Sequence, residues 1–348
     1  MKILIMTNTY HPFTGGVPRS IDTFVEQYRK QGHVVKIIAP NFEGQEEEEH
    51  VLRVPAIQNF NGTDFSVQLP VPFILSDFAD SFAPDIIHSQ HPFLLGGTAL
   101  RMAARREVPL VYTYHTFYDR YLHYLPGGSS AAMKRFVNTL VAGYANLCDH
   151  VIAPSHSVRN ELLGRGVTTP IDIIPTGVDV KSIAAGNGPR FRERQGIPPE
   201  AFVVGFVSRI AEEKNMTFLC DAVCAFLEQT PSAWFVVAGT GPLEEAVKAR
   251  FAESPAAARF LLLGNLTGTE LHDLYNAMDV FAFASHSETQ GLVVAEAMAA
   301  GTPVVALRAS GVEDVVVDGR NGRLLDEESQ EGFCRALREM QACDPVVY

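Results

Sequence analysis

The sequence lacks the features by which membrane-spanning, secreted and metal-binding proteins are commonly identified. It contains no run of about 18 or more apolar residues that would cross a bilayer. Its apolar start, Met1 to Met6, is too short for a signal peptide and continues as a predicted first strand. The five cysteines include no Cys-x-x-Cys pair, so neither a disulfide framework nor a structural metal site is predicted. We therefore expect a cytoplasmic protein.

The sequence also lacks an excess of positive charge and a dinucleotide fingerprint. With 28 basic and 40 acidic residues, its net charge of −12 argues against nucleic acid as a partner. Most of the acidic excess lies in the second half of the chain. A Gly-x-Gly-x-x-Gly pattern is absent, which disfavours a dehydrogenase.

A repeated alternation of strand and helix patterns predicts the fold. It indicates the α/β class with two Rossmann-like, doubly wound parallel-sheet domains that face each other across a cleft. The 348 residues suffice for two such cores. We predict domains over 1–175 and 176–348, joined near the Pro- and Gly-containing segment 173–179. Residues 52–71 are expected to be irregular, and 184–199 to extend the connection.

The strongest candidate site is a polar turn that leads into an apolar helix, from Ala284 to Val305. Ser285–Glu288 are typical helix-capping residues, and the helix is predicted over 291–300. Glu288 in the turn and Glu296 in the helix each supply a carboxylate that accepts hydrogen bonds from two vicinal hydroxyls. The N–H groups at the start of a helix stabilise an anion such as a diphosphate, and here they belong to Thr289, Gln290, Gly291 and Leu292.

This arrangement predicts a nucleotide-sugar site, with Glu288 on a hydroxyl pair of the sugar and Glu296 on the ribose. The alternative is structural: Glu288 caps the helix, and Glu296 is a partly buried glutamate in an ion pair.

The spacing of Glu288 and Glu296, followed by Ala-Met-Ala-Ala-Gly-Thr-Pro-Val-Val, resembles the signature of family 4 retaining glycosyltransferases with the GT-B fold. The resemblance implies an acceptor-binding first domain, a nucleotide-sugar-binding second domain, and retention of anomeric configuration without a protein nucleophile. GT-B proteins usually finish with helices that cross back to the first domain, and we expect these to be short or missing after the predicted helix 329–341.

Two basic residues after the predicted strand 202–207 are candidates for the diphosphate. Arg209 and Lys214, in Ser-Arg-x-x-x-x-Lys-Asn, resemble the family's phosphate clamp, and charge-assisted contacts from both strengthen as the leaving nucleotide gains charge. The sequence has no Asp-x-Asp, so no divalent metal and no cofactor are expected. His88 and His91 stand three apart without a convincing third metal ligand.

The resemblance adds further candidate residues. The nucleobase of the family commonly rests on the backbone after the strand that we predict to be buried at 260–265, which implicates Asn265. The loop with Gly15 and Gly16 lies between donor and acceptor in similar enzymes, although paired glycines alone are more often turn-formers. His115, at the end of a predicted strand, would approach the anomeric centre, where it bonds the sugar 6-hydroxyl or positions the acceptor.

The acceptor is predicted from the sequence segment that runs from His115 to Tyr124. This segment is similar to a motif of the subgroup that glucosylates diacylglycerol. The similarity implies UDP-glucose as the donor and a lipid as the acceptor. The residues that it implies for binding the acceptor are Tyr118, Tyr121, His123 and Tyr124. Five tyrosines lie within thirteen residues here, namely Tyr112, Tyr114, Tyr118, Tyr121 and Tyr124. Tyrosines suit a wet cleft wall or a membrane interface, and a core aromatic cluster is the alternative. Basic residues of the predicted helix 131–147 either face anionic lipid, giving peripheral membrane contact through the N-terminal domain, or are ordinary solvated charges.

Other functions stay open at this point. A soluble or phosphatidylinositol acceptor with GDP-mannose as donor fits the same fold. A nucleotide-sugar 2-epimerase also uses two facing Rossmann-like lobes, and a non-catalytic sugar-nucleotide binder is a third class.

Overall fold

The computed structural model describes residues 1–13, 15–42, 48–57, 67–68, 72–122 and 130–343. The chain divides into two compact units, Met1–Gly177 and Val178–Tyr348. Each contains one main parallel sheet, so the predicted pair of doubly wound parallel-sheet domains is confirmed.

Unit 1 is built on a seven-stranded sheet in the order β3-β2-β1-β6-β7-β8-β9, in which every neighbouring pair is parallel. A two-stranded antiparallel sheet, β4-β5, is separate from it. The strands are β1 (Lys2–Met6), β2 (Val34–Pro40), β3 (Val51–Val54), β4 (Ala56–Ile57), β5 (Val67–Gln68), β6 (Ile86–Ser89), β7 (Leu110–Thr113), β8 (His150–Ala153) and β9 (Ile171–Ile173). The helices are α1 (Gly16–Lys30), α2 (Pro72–Phe82), α3 (Leu95–Arg106), α4 (Ala131–Asn146) and α5 (His156–Gly164).

Apolar side chains of the central strands point alternately to both faces of this sheet, and both faces are covered by helices. Ile3 and Ile5 of β1 pack with Ile21 of α1 on one face, because successive side chains of a strand point to opposite sides. Leu4 and Met6 belong to a second cluster on the other face, which holds the buried residues of α2 to α5. The apolar run of β1 therefore requires helices on both sides of the sheet.

Unit 2 has a six-stranded parallel sheet in the order β12-β11-β10-β13-β14-β15. The strands are β10 (Phe202–Val207), β11 (Ala233–Ala238), β12 (Phe260–Leu262), β13 (Val280–Phe283), β14 (Val304–Leu307) and β15 (Gly322–Leu325). The helices are α6 (Val180–Ala184), α7 (Gly188–Gln195), α8 (Met216–Gln229), α9 (Glu244–Ala252), α10 (Gly268–Ala277), α11 (Leu292–Ala299) and α12 (Gln330–Ala342).

Three expectations about local structure were wrong. Within 52–71, β3 continues the main sheet beside β2, because Val54 is buried and the register Ile37↔Val51 extends the parallel ladder; residues 58–66 and 69–71 of that segment lie outside the described residues. The connection 184–199 includes the helix α7. β12 is an edge strand with partly exposed residues, so it is not buried as predicted.

Hydrogen bonds and an ion pair of Arg192 link helix α7 to the segments next to the sheet of unit 2. Its guanidinium donates from Nε to the carbonyl of Ala277 at 2.9 Å and from Nη2 to Asp279 at 2.8 Å, and Nη1 donates to the carbonyls of Pro199 and Ala201. Asp279 also accepts from the N–H of Val203 at 2.6 Å. One mostly buried side chain thus satisfies the carbonyl at the end of α10 and two carbonyls ahead of β10.

We expect Arg192→Met to lower the free energy of unfolding of the protein by about 3 kcal/mol, because it removes the ion-pair partner of the Asp279 carboxylate and a donor from three carbonyls. Urea unfolding followed by circular dichroism measures the change. Arg190→Met, an exposed residue of the same helix, is the matched control and should change stability by less than about 0.5 kcal/mol. Equal effects of the two substitutions would contradict this role for Arg192.

Candidate functional site

The order of strands in unit 2 brings two loops to one edge of the sheet. β10 pairs with β11 on one side and with β13 on the other, with Val204 opposite Val280. The chain reverses its winding direction at this point, where open α/β sheets commonly bind ligands beyond the carboxyl ends of the strands. The loops after β10 and β13, residues 208–215 and 284–291, therefore lie next to each other.

An ion pair joins these two loops. Nζ of Lys214 lies 2.5 Å from Oε1 of Glu288, and each side chain is 13% exposed. Asn215 and His286 form a second contact, 2.9 Å between Nδ2 and Nε2, and the hydroxyl of Ser285 donates to the carbonyl of Glu213 at 3.2 Å. Lys214 and Glu288, predicted from separate motifs, are thus brought together.

Arg209 lies in the same loop, and its guanidinium is 3.8 Å from the carboxylate of Glu213. The loop is held against the glycine turn that follows β11. A Cβ on Gly239 would be 1.8 Å from the carbonyl oxygen of Ser208, and one on Gly241 would be 2.3 Å from that of Ile210. These glycines permit the close approach of two backbones that presents Arg209 at the edge of the sheet.

The start of α11 differs from the prediction. Ser285–Glu288 do not cap it: the helix begins at Leu292, its N-cap is Gly291 with a φ of +71°, and no side chain bonds the cap. A left-handed φ favours glycine, so the turn ends at Gly291. The backbone of Gln290 rests on Gly311, where an added Cβ would be 2.6 Å from the Gln290 nitrogen. Thr289, Gln290 and Gly291 thus lead into the first turn of α11, which begins with Leu292.

Glu296 faces inward from α11. It is 2% exposed, and its Oε2 accepts a hydrogen bond from the hydroxyl of Tyr275 at 2.7 Å. The backbone carbonyl of Tyr275 accepts from the hydroxyl of Thr302 at 2.9 Å. Tyr275, which orients the carboxylate, was missed because a tyrosine within the pattern of α10 resembles an ordinary core residue.

Asn265 follows β12 at the same carboxyl edge of the sheet and is exposed. Its Oδ1 accepts from the hydroxyl of Thr240 at 3.2 Å. Thr240 lies between the two glycines of the turn after β11. The structure therefore links the predicted nucleobase residue to that turn.

Unit 1 has its own reversal point, between β1 and β6. Asn8 spans it: its N–H donates to Nδ1 of His91 at 3.1 Å, and its side chain bonds the backbone of Phe93 and Leu95. Gly15 precedes α1 in extended backbone and Gly16 is the first residue of that helix, in the segment that follows the same strand as Asn8.

His115 follows β7, and its Nε2 donates to Oε1 of Gln90 at 2.7 Å. Burial, and then the proximity of His91 and His88, lowers the pKa of His115 to about 3. The imidazole is therefore neutral at pH 7 and acts as a hydrogen-bonding group. Gln90 was missed because a lone glutamine after a strand carries no sequence signal.

The predicted acceptor residues are only partly described. Tyr118 packs edge-to-face on Phe93, with 5.2 Å between ring centroids, and burial raises the pKa of its hydroxyl. Tyr121 is partly buried. His123 and Tyr124 lie outside the described residues. For Tyr112 and Tyr114 the core alternative is correct, since both are fully buried in the core of unit 1.

Neither a metal cluster nor a membrane span occurs in the part of the chain that the structure describes. No three His, Cys, Asp or Glu side chains there are grouped to hold a metal ion. His88 lies in β6 and bonds Thr113 at 2.7 Å. Over the same residues, no helix has the length and apolar character needed to cross a membrane.

Two family models match the chain in succession. "Glycosyltransferase Family 4" matches residues 14–182, and "Glycosyl transferases group 1" matches residues 188–345. The alpha-monoglucosyldiacylglycerol synthase of Streptococcus pneumoniae is 31% identical over 331 residues, which cover 93% of this chain and 75% of that protein. A GDP-mannose-dependent alpha-mannosyltransferase of Corynebacterium glutamicum is 30% identical over 339 residues, which cover 94% of this chain and 77% of that protein.

Solved structures share the fold at lower sequence identity. HepE of Anabaena in complex with UDP has a TM-score of 0.75 at 21% identity, covering 97% of this chain and 89% of that one. Sucrose-phosphate synthase of Thermosynechococcus elongatus has a TM-score of 0.78 at 18% identity, and the match covers 99% of this chain and 91% of that one.

We expect Tyr275→Phe to lower the free energy of unfolding by about 1.5–3 kcal/mol, because it removes a donor from the buried carboxylate of Glu296. Tyr112→Phe is the matched control. The Tyr112 hydroxyl is buried and has no hydrogen-bond partner among the described residues, so its loss should cost less than about 0.5 kcal/mol. Chemical unfolding of both variants provides the comparison, and a Tyr112 variant as unstable as the Tyr275 variant would contradict it.

We also expect stability to fall in acid because of buried histidines, of which His88 and His91 are not among the predicted site residues. Burial lowers the pKa of His88 to about 4 and that of His91 to about 3, whereas the unfolded values are about 6.5. Above pH 6.5 both states are neutral. Below it, only the unfolded chain binds protons, so unfolding becomes easier by about 2 kcal/mol per histidine at pH 5.

Denaturant unfolding of the wild type and of a His88→Gln/His91→Asn variant at pH 7.5 and 5.0 tests this dependence. Each substitution keeps an amide near the position of the bonded ring nitrogen but removes the titration. The variant should lose less stability than the wild type between the two pH values. An equal loss in both proteins would show that other groups cause it.

Proposed function

Because the chain belongs to glycosyltransferase family 4 and has its GT-B architecture of two parallel-sheet domains, we propose that it moves glucose from UDP-glucose to a hydroxyl of diacylglycerol. The contact between Lys214 and Glu288 at the reversal point of unit 2 carries this proposal. It sets a cation and a carboxylate side by side ahead of α11. A diphosphate and a sugar diol require these two groups at adjacent positions.

Unit 2 supplies the donor site in this proposal. Arg209 and Lys214 neutralise the diphosphate, and the first-turn amides of α11 add hydrogen-bond donors. Glu288 binds a hydroxyl pair of the sugar. Glu296 binds the ribose, with Tyr275 orienting its carboxylate. Support for a uridine nucleotide comes from the fold relative HepE, which has been solved with UDP and with UDP-glucose.

Unit 1 supplies the acceptor side in this proposal, with Tyr118, Tyr121, His123 and Tyr124 as the acceptor residues. His115 bonds the 6-hydroxyl of the sugar or positions the acceptor, and its low pKa assigns it a neutral role rather than that of a general acid. The alpha-monoglucosyldiacylglycerol synthases among the relatives support a lipid acceptor. The proposed reaction takes place in the cytoplasm, at the inner face of a membrane.

The reaction is proposed to proceed with retention and without a divalent metal or cofactor. The acceptor hydroxyl attacks from the face that the leaving group occupies. The C–O bond to the diphosphate breaks as the new glycosidic bond forms, and an oxygen of the leaving phosphate takes the acceptor's proton. The positive charge that stabilises this leaving group comes from Arg209 and Lys214.

A second candidate is transfer of mannose from GDP-mannose, with phosphatidylinositol or a soluble molecule as acceptor. GDP-mannose-dependent mannosyltransferases at 30% identity favour it. A panel of UDP- and GDP-sugars, scored first by thermal shift and then by transfer to diacylglycerol micelles, separates the two. Membership of a transferase family gives no support to the 2-epimerase, which would convert the donor without any acceptor.

We expect the Arg209→Ala/Lys214→Ala variant to lose at least about 100-fold in kcat with UDP-glucose and diacylglycerol, because the leaving diphosphate loses both cations. Initial rates of radiolabelled glucose transfer measure the loss. Lys248→Ala, an exposed lysine of α9 in the same unit, is the charge-matched control for a single cation and should keep the wild-type rate. Near-normal turnover of the double variant would refute the proposed clamp.

A further inference from the structure

Gln90 joins the ends of two neighbouring strands in unit 1. β6 and β7 are parallel, with Ser89 opposite Tyr112, so the residues that follow the two strands lie at the same edge of the sheet. The N–H of Gln90 donates to the carbonyl of Met6 at 2.9 Å, which adds one hydrogen bond to the pairing of β6 with β1. The sheet therefore fixes the backbone of Gln90, and its side chain contacts His115 at this edge.

The two side chains of this contact differ in how far they are buried. Gln90 is 1% exposed, whereas His115 is partly exposed. The Nε2 atom of the Gln90 amide is buried and has no hydrogen-bond partner among the described residues. A buried donor without a partner costs stability, so packing alone does not account for a glutamine at this position.

The hydrogen bond between the two residues determines where the imidazole carries its proton. The ring is neutral at pH 7, because burial and the neighbouring histidines lower the pKa of His115 to about 3. A neutral imidazole has one protonated nitrogen that donates and one bare nitrogen that accepts. Nε2 lies 2.7 Å from Oε1 of Gln90, an oxygen that only accepts. The proton therefore lies on Nε2, and Nδ1 is the accepting nitrogen of the ring.

We propose that Gln90 is a positioning residue that fixes His115 as the Nε2–H tautomer, so that Nδ1 accepts a hydrogen bond from a substrate hydroxyl. This inference rests on the proposed function, and it selects between the two roles given there to His115. The attacking hydroxyl of the acceptor passes its proton to the leaving phosphate, so that proton is not available to Nδ1. The 6-hydroxyl of the sugar keeps its proton throughout the reaction and therefore fits an accepting nitrogen.

A fixed accepting nitrogen also defines which sugars suit this position. A hydroxyl on C6 donates to Nδ1, whereas xylose has no C6 and makes no such bond. The C6 carboxylate of glucuronic acid has no proton to donate, and it faces the lone pair of Nδ1 without an attractive contact. The tautomer therefore favours donors with a hexose that carries a 6-hydroxyl and disfavours donors with a uronic acid.

Nitrogen NMR of the full chain with isotope-labelled histidine tests the tautomer without any substrate. We expect the His115 ring to be protonated at Nε2 and bare at Nδ1, with the loss of its signals in His115→Phe providing the assignment. Gln90→Met keeps the length of the side chain but removes the accepting oxygen, so the Nδ1–H tautomer should appear beside the first. A wild-type ring protonated at Nδ1 overturns the proposal, whatever sugar the enzyme transfers.

Donor selectivity tests the consequence for the substrate. We expect wild-type kcat/KM to be at least about tenfold higher with UDP-glucose than with UDP-xylose, and Gln90→Met to reduce this ratio roughly fivefold. In the His115→Phe background, Gln90→Met should leave the ratio unchanged, because Gln90 acts through the ring. An unchanged ratio in Gln90→Met alone, or a further change in the double variant, contradicts the positioning role.

Thr113→Val is the matched control. His88 and Thr113 form another contact of 2.7 Å between the same two chain segments, and they too are 25 positions apart in the sequence. The variant removes the hydroxyl that His88 contacts, so it should lower the melting temperature at least as much as Gln90→Met does while keeping the wild-type ratio of UDP-glucose to UDP-xylose use. An equal fall of the ratio in both variants would show that general loosening of unit 1 causes it, and the proposal would be wrong.

The two readouts separate this inference from the proposed function. If NMR shows the Nε2–H tautomer and its dependence on Gln90 but no glucose is transferred from UDP-glucose, the proposed function is refuted and the tautomer assignment stands. If glucose is transferred but the ring is protonated at Nδ1, the function stands and the role of Gln90 is refuted.

Discussion

The parallel pairing of β10 with β13 is the constraint on which the candidate donor site depends. It joins strands that are separated in the sequence by β11 and β12, with Gly205 opposite Phe281. Parallel strands end at the same edge of a sheet, so the loops that follow them are neighbours whatever their own sequences are. The contact between Lys214 and Glu288, 74 positions apart, is a consequence of that register.

The same constraint operates in unit 1, where β1 pairs with β6 and the residues after both strands meet. There the interactions are hydrogen bonds among neutral groups, centred on Asn8 and His91, and burial keeps the histidines uncharged. Unit 2 instead collects charged side chains at its reversal point. One fold thus gives two edges of different chemistry, a difference that suits an uncharged acceptor and a charged donor in the proposed reaction.

Sequence patterns predicted these edges well because they depend on strand periodicity and strand ends. The alternation of apolar strands and amphipathic helices was enough for the two parallel sheets. The family was predicted instead from the resemblance of the motif with Glu288 and Glu296, and Lys214 and His115 were nominated because the segments that follow their strands are similar to motifs of that family.

The errors arise where tertiary contact decides the local structure. Ser285–Glu288 have the composition of a helix cap, yet Gly291, packed beside Gly311, sets the start of α11. The strand β3 is stabilised by pairing with β2, a contact that no short pattern in 52–71 announces. Tyr275 and Gln90 gain their roles only from the side chains that they contact, Glu296 and His115.

The pairing of Lys214 with Glu288 also resolves an electrostatic difficulty in the proposed donor site. A diphosphate beside an isolated carboxylate would be repelled by about 4 kcal/mol for each pair of unit charges 4 Å apart at an effective dielectric of 20. Lys214, 2.5 Å from that carboxylate, cancels most of this repulsion in advance. Glu288 then remains available to accept hydrogen bonds from sugar hydroxyls. As the leaving diphosphate gains charge, Lys214 stabilises it together with Arg209 and the amides of α11 in the proposed reaction.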